Sequence, residues 1–120
     1  MLVELKKIQK IARICHNVNK AYCESLGDNS QPSYDDASED IMESARAGVI
    51  KVISNPCIMP EDIHNEWVYY KMLEGWTRGN KKDSIMKTHP CILPYNELPK
   101  EQKAKDYIFI AIVRQLEDLL

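Results

Sequence analysis

The 120-residue sequence has no apolar run long enough to cross a bilayer. Its longest, Tyr107 to Val113, is seven residues, where a helical span needs about 20, so no transmembrane helix is expected. The N-terminal segment breaks its apolar pattern with Glu4, Lys6, Lys7, Gln9 and Lys10. It therefore lacks the continuous apolar region and small-residue cleavage site of a secretory signal, and a cytoplasmic protein is expected. Glycine is scarce: the residues at 27, 48, 75 and 79 never come close enough for a dinucleotide or phosphate-binding glycine loop. Any phosphate would have to be met by side chains and by helix N-termini such as those opened by Pro60 and Pro99. Net charge is only −2, which excludes a general nucleic-acid binder and a polyacidic tail. Cys15, Cys23, Cys57 and Cys91 lie scattered and read as free thiols in a reducing compartment, since a chain of this size folds without disulfides or metal.

What is present is an ordinary globular composition, 44% hydrophobic and 28% charged, in a length that suits one domain, residues 1–120. Residues 3–26 place Leu5, Ile8, Ala12, Cys15, Asn19, Tyr22 and Leu26 at helical spacing, with Ile11, Ile14 and Val18 widening the face, and Gly27 ends the helix. A second helix is expected to start near Asp35 or Asp36, to face the core with Ile41, Ala45, Val49 and Val52, and to stop at Asn55-Pro56. Pro60 followed by Glu61 and Asp62 opens a third, carrying Ile63, Trp67, Tyr70 and Leu73 up to Gly75. From Trp76 to Pro99 no period survives, and that segment is too long for an idle connection. Pro99 opens a fourth helix with Ala104, Ile108, Ala111, Gln115 and Leu119 along its face and Ile112 and Leu116 beside them. The fold class is therefore all-α: four helices around one core, with a long ordered loop between the third and fourth.

The run His64-Asn65-Glu66-Trp67 through Gly75-Trp76-Thr77-Arg78-Gly79, followed by Lys87-Thr88-His89-Pro90, Leu93-Pro94-Tyr95, Glu97-Leu98-Pro99 and Lys105-Asp106-Tyr107, resembles the signature of the RyR domain, the repeat named after ryanodine receptors. The resemblance covers about residues 60–118. Residues 1–58, with Cys15-His16-Asn17 and Leu26-Gly27-Asp28, resemble the helical leading segment of small stand-alone prokaryotic and phage members. It implies a mostly helical cytosolic module without established enzymatic activity. For the prokaryotic relatives it implies sensing of small, nucleotide-derived ligands. It does not imply a channel, and a fold transfers no function without a site.

The residues offer such a site. Trp67 and Trp76 read either as core anchors, Trp67 above all, or as an aromatic platform for a planar group, with Trp76 better placed for that role just past the helix end. From Lys71 to Lys105 the basic residues are Lys71, Arg78, Lys81, Lys82, Lys87, Lys100, Lys103 and Lys105, against Glu74, Asp83, Glu97 and Glu101, while Glu24 to Ser44 has seven acidic residues and no basic one. This asymmetry reads as a solvated surface, as an anion-binding groove, or as two halves that pair within the fold or across a dimer. The expected ligand lining is Trp76, Lys71, Arg78, Lys82 and Tyr95. Asp83, His89 and Asp106 are expected to hold the loop by hydrogen bonds.

No catalytic residue, cofactor or metal is expected. His64-x-Glu66 and Pro90-Cys91 fit two pieces of a zinc-deaminase pattern, but position 94 is proline where a thiolate is needed. Val68 breaks an H-E-x-x-H motif. Asp28 to Ser38 lacks the glycine of a calcium loop. Cys15 and His16 point about 100° apart on a helix. The leading expectation is a non-enzymatic module sensing a small, nucleotide-derived anion or acting as an adaptor. The competing one is a structural protein–protein module that self-associates as a homodimer, and an enzyme of unrecognised chemistry is a third.

Overall fold

The structure of the chain, a computed structural model, describes residues 2–120. Four helices make up most of it: α1 (Leu2–Ser25), α2 (Glu39–Ser54), α3 (Pro60–Leu73) and α4 (Lys100–Leu116). Single 3-10 turns at Tyr34–Asp36 and Tyr95–Glu97 lie in the connections. Two short strands, β1 (Thr77–Arg78) and β2 (Thr88–His89), pair in parallel with Thr77 opposite Thr88 and Arg78 opposite His89. The four helices and the ordered loop are as the sequence implies. The strand pair is not, because two residues are too few for any alternation to register.

The core forms where all four helices meet. Ile11, Ala12 and Cys15 of α1, Val49 and Val52 of α2, Ile63 of α3 and Val113 of α4 are buried together, with Tyr34 and Ile58 from the connections. Each fully buried Ile or Val contributes about 1.5–3 kcal/mol from its removal from water.

Two helices are rotated from the expected facing. On α1 the inward residues are Ile8, Ile11, Ala12, Cys15, His16 and Cys23, while Leu5, Ile14, Val18 and Leu26 are exposed. On α4, Val113 is buried with Phe109, Ile110, Ile112 and Leu116 packed around it, and Ala111, Gln115 and Leu119 face outward. The unbroken apolar run Tyr107–Val113 allows several faces at helical spacing. The larger side chains at 109, 112, 113 and 116 fill the core. Leu73 at the end of α3 is exposed as well.

The second helix also begins later than expected. Ser38, in extended conformation, caps α2 by accepting the Ile41 N–H on its hydroxyl. Asp35 and Asp36 instead sit in the 3-10 turn that drives Tyr34 into the core, where its ring meets His16 edge-on. The Tyr34 N–H donates to Asn17 Oδ1 at 3.0 Å. At α3, Asp62 accepts the Met59 N–H at 2.9 Å, which satisfies a donor ahead of Pro60. Arg114 donates to the Asn55 carbonyl at 2.8 Å, and Lys51 of α2 pairs with Glu66 of α3 at 2.8 Å. The cysteines are free thiols, with Cys57 exposed and Cys15 and Cys23 buried. Among the described residues no helix is long and apolar enough to cross a membrane.

Candidate functional site

The end of α3 sets the geometry of the site. Gly75, at φ 88°, takes the left-handed conformation that lets the chain reverse. The Trp76 N–H then reaches back to the Lys71 carbonyl at 2.9 Å and the Gly75 N–H to the Met72 carbonyl at 3.0 Å. In this double-bonded helix end the residue after glycine lies beside the residue one turn earlier. Here the two are Trp76 and Lys71, and the Lys71 ammonium sits 4.5 Å from the Trp76 ring centre and 6.0 Å from that of Trp67.

After Trp76 the chain is tied into a small knot of backbone bonds. The Thr77 N–H donates to the Lys87 carbonyl at 2.8 Å, and Asp83 and Thr88 exchange backbone bonds at 3.0 and 3.1 Å. Asp83 Oδ1 accepts the N–H groups of Ile85 and Met86, and Thr88 Oγ1 donates to the Lys81 carbonyl. Gly79 is required by close approach, since a Cβ there would lie 2.6 Å from Thr88 Cβ. Asp83 Oδ1 thus closes the turn at the loop tip.

Two helix histidines bind this loop and the α1–α2 linker to the helices. His64 Nε2 donates to the Leu93 carbonyl at 2.6 Å, and His16 Nε2 donates to the Pro32 carbonyl at 2.7 Å. Both rings are buried, and burial lowers the His64 pKa. His89 is the third loop tie: its Nδ1 accepts the Cys91 N–H at 3.0 Å.

Between the four helices and this loop lies a cavity of about 520 Å³, within the range of small-molecule sites. Trp67, Tyr70, Trp76 and Phe109 supply its aromatic surface; Lys71, Lys82, Lys87 and Lys105 its cations; and Asp40, Glu66, Glu74 and Asp106 its acids. His16, His64 and His89 line it too. The His89 ring stands edge-on to Trp67 at 4.9 Å and tilted toward Trp76 at 6.4 Å, so it links the two indoles. Trp67 also stacks on His64 at 5.8 Å. Trp67 is therefore a half-buried wall of the cavity, outside the core in which the sequence places it. A second, shallower depression of about 260 Å³, lined by Asn65, Val68, Ile92, Leu93 and Pro94, carries no charged side chain.

Of the expected lining, the fold brings Trp76, Lys71 and Lys82 to the cavity. Lys82 reaches across to the linker, where its ammonium donates to Ser30 Oγ at 3.4 Å. Arg78 and Tyr95 are not part of the lining. Arg78 is exposed on β1. Tyr95 packs against His64, carries the Lys103 ammonium 5.7 Å from its ring centre and donates its hydroxyl to the Lys103 carbonyl. Asp106, expected to hold the loop, lines the cavity instead; among the described residues nothing donates to its carboxyl. Sequence reasoning missed Trp67, His64 and Lys105 as lining. The spacing 64, 67, 71, 74 along one face of α3 is the signal that could have found the first two. For Lys105 no local signal exists.

Burial governs the electrostatics. It pushes the Asp106 acid up to about 7, with Lys105 pulling the other way. It takes His89 down to about 4, helped by the cations Lys82, Lys71 and Lys105. Burial also lowers Lys71 and raises Cys91 and Glu74. The Cys15 thiol is pushed up to about 12 by burial, which leaves it unreactive. Among the described residues no group of three or more His, Cys, Asp or Glu side chains comes together as a metal centre. The arrangement can take a flat group between aromatic walls and an anion beside the lysines. Residues 56–114 match the family model of the RyR domain; α3, the loop and most of α4, which form much of the cavity wall, lie within that match.

Proposed function

Taking as premise that this chain carries an RyR domain over residues 56–114, we propose that it is a non-enzymatic module that senses, or adapts to a partner, a small nucleotide-derived anion bound in the cavity beside Trp76. One observation carries the reading: a half-open cavity of about 520 Å³ joins two indoles to Lys71, Lys82, Lys87 and Lys105. A planar base answers the aromatic walls, and phosphates answer the ammonium groups. The Lys71 ammonium already rests on the Trp76 face, a contact that an anion in the cavity would share. Free, partly buried thiols fit the reducing cytosol in which such a module would work.

A panel of nucleotides tests it by thermal melting. At a hundredfold excess over Kd the true ligand stabilises the fold by about 2.7 kcal/mol. Combining Lys71→Met with Trp76→Ala removes the shift, whereas Arg78→Ala, outside the lining, keeps it. A panel in which no anion raises the melting temperature overturns the proposal.

A second reading rests on an exposed apolar stripe. Tyr69, Met72 and Leu73 of α3 are 58%, 62% and 64% exposed at helical spacing, which favours a self-associating protein–protein module. Light scattering at two concentrations separates the readings, because only self-association raises the mass with concentration.

A further inference from the structure

The loop between α3 and α4 carries a turn that holds its apolar side chains out in water. Ile85 and Met86 are 92% and 71% exposed, and neither lines the cavity. The turn is firmly bonded. Asp83 Oδ1 accepts the N–H groups of both residues at 2.9 and 3.1 Å, and Asp83 and Thr88 exchange backbone bonds across its base. Lys87, which completes it, takes φ 56°, a conformation uncommon outside glycine. Two large apolar residues fixed in solvent form a knob without a socket. The chain also has a socket without a knob. The shallow depression of about 260 Å³ lined by Asn65, Val68, Ile92, Leu93 and Pro94 carries no charged side chain. The exposed Tyr69, Met72 and Leu73 of α3 adjoin it, at three-four spacing from Asn65 on the same helix.

Resting on the self-association reading above, we infer that the Ile85–Met86 knob of one copy seats in the depression beside Val68 of a second copy. The charges around the two features support that occupant. Arg78 and Lys81, exposed on the loop that carries the knob, make no ion pair among the described residues. The depression is bordered by acids that are equally unpaired there: Glu61, one helical turn before Asn65, and Glu97, three residues after Pro94. Against them stands Lys103, over the neighbouring Tyr95 ring. Apolar parts therefore meet apolar parts and the borders meet with opposite sign, which steers the encounter and fixes its orientation. A single knob is too small for a stable complex, which takes about 800 Å² from each partner. Tyr69, Met72 and Leu73 enlarge the receiving side. A twofold pair, in which each copy gives a knob and takes one, doubles the contact and closes the assembly. No residue of the knob or the depression lines the cavity, so the pairing leaves it open.

Light scattering of the full chain over a wide range of concentration tests the pairing. The wild-type chain passes from monomer to dimer, and a mass that climbs past the dimer overturns the twofold arrangement. Ile85→Asp weakens association about tenfold or more. Asn65→Lys, which fills the depression and neutralises Glu61 one turn away, weakens it by a similar factor of about ten. Both positions are exposed, and melting curves check that both variants are folded. Mixing the two is the decisive arm, because each variant keeps the half that the other has lost. The mixture associates about tenfold more tightly than either variant alone; a mixture no tighter than its components overturns the knob-in-depression contact. Association that Ile85→Asp leaves unchanged overturns it too, with pairing through the α3 stripe left standing. A chain that is monomeric at every concentration overturns this inference and the self-association reading together.

Discussion

Asp106 and His89 are buried against the same cavity with opposite consequences for stability. The folded state holds a proton on Asp106 up to about pH 7, whereas an unfolded aspartate releases it near 3.8. Stability from this group is therefore lost as pH rises through that window. His89 runs the other way, because its folded pKa of about 4 lies below the ordinary 6.5. The unfolded chain binds the extra proton between these values, so stability is lost as pH falls through them. Each slope is about 1.4 kcal/mol per pH unit, and between pH 4 and 6.5 they oppose. Removing the carboxylic acid with Asp106→Asn should unmask the histidine. Relative to wild type, the variant gains stability as pH rises from 4 to 7, with a constant advantage above. Urea melts at half-unit pH intervals measure this; parallel profiles for the two proteins would sink it. His89 was legible as a loop residue because X-Pro geometry fixes it in extended chain. That its ring also bridges two indoles was not, since the three residues are distant in sequence.

At the level of single elements, caps and close approaches determine where each segment begins and how the loop is held. Ser38→Ala removes the hydroxyl that accepts the Ile41 N–H and should cost about 1 kcal/mol, read as a lower denaturant midpoint at unchanged m. An unchanged midpoint would mean that water replaces the cap without loss. Gly79→Ala is the sharper case, because its Cβ would lie 2.6 Å from Thr88 Cβ. The substitution must push β1 from β2, break the Thr77 to Lys87 bond and cost about 1–3 kcal/mol. Hydrogen exchange at the Thr77 and Thr88 amides should accelerate while α1 amides keep their protection; uniform acceleration would show that the loop and helices unfold as one unit. Helix existence and the ends at Gly27 and Gly75 were readable, because a positive φ just past a periodic stretch is a local demand. The start of α2 was not. Two aspartates and a serine compete for the cap, and the burial of Tyr34 decides between them.

Over the molecule as a whole, the cavity exists because four helices converge on one small core and leave a gap on the side where the loop crosses. Ile11 sits at the centre of that core with no accessible surface. Ile11→Ala should cost about 2–5 kcal/mol, a large share of the roughly 5–15 kcal/mol that domains possess. Chemical denaturation of the ligand-free variant gives this quantity. A loss under 1 kcal/mol would show that the helices close over the space. The acidic stretch from Glu24 to Ser44 and the basic stretch from Lys71 to Lys105 meet here as well, for Asp40 and Lys71 line one volume and Lys82 reaches Ser30. The two stretches approach each other there, while the ion pairs of the acidic stretch run to Arg13, Lys20 and Arg46.

Helical class, the number of helices, the ordered loop and the RyR signature all follow from local patterns: apolar spacing, proline and glycine punctuation, and a run of residues at fixed separations. Which face of α1 and α4 turns inward, that Trp67 walls a cavity, that Arg78 points away and that Asp106 is left without a partner were decided by packing. A helical face several residues wide is compatible with more than one orientation, and side-chain volume at the meeting of four helices selects among them. Open hydrogen-bonding capacity is likewise no property of a residue type. It is what remains after every neighbour brought close by the fold has taken its share, and among the described residues the Asp106 carboxyl and His89 Nε2 are two of the groups so left at this cavity.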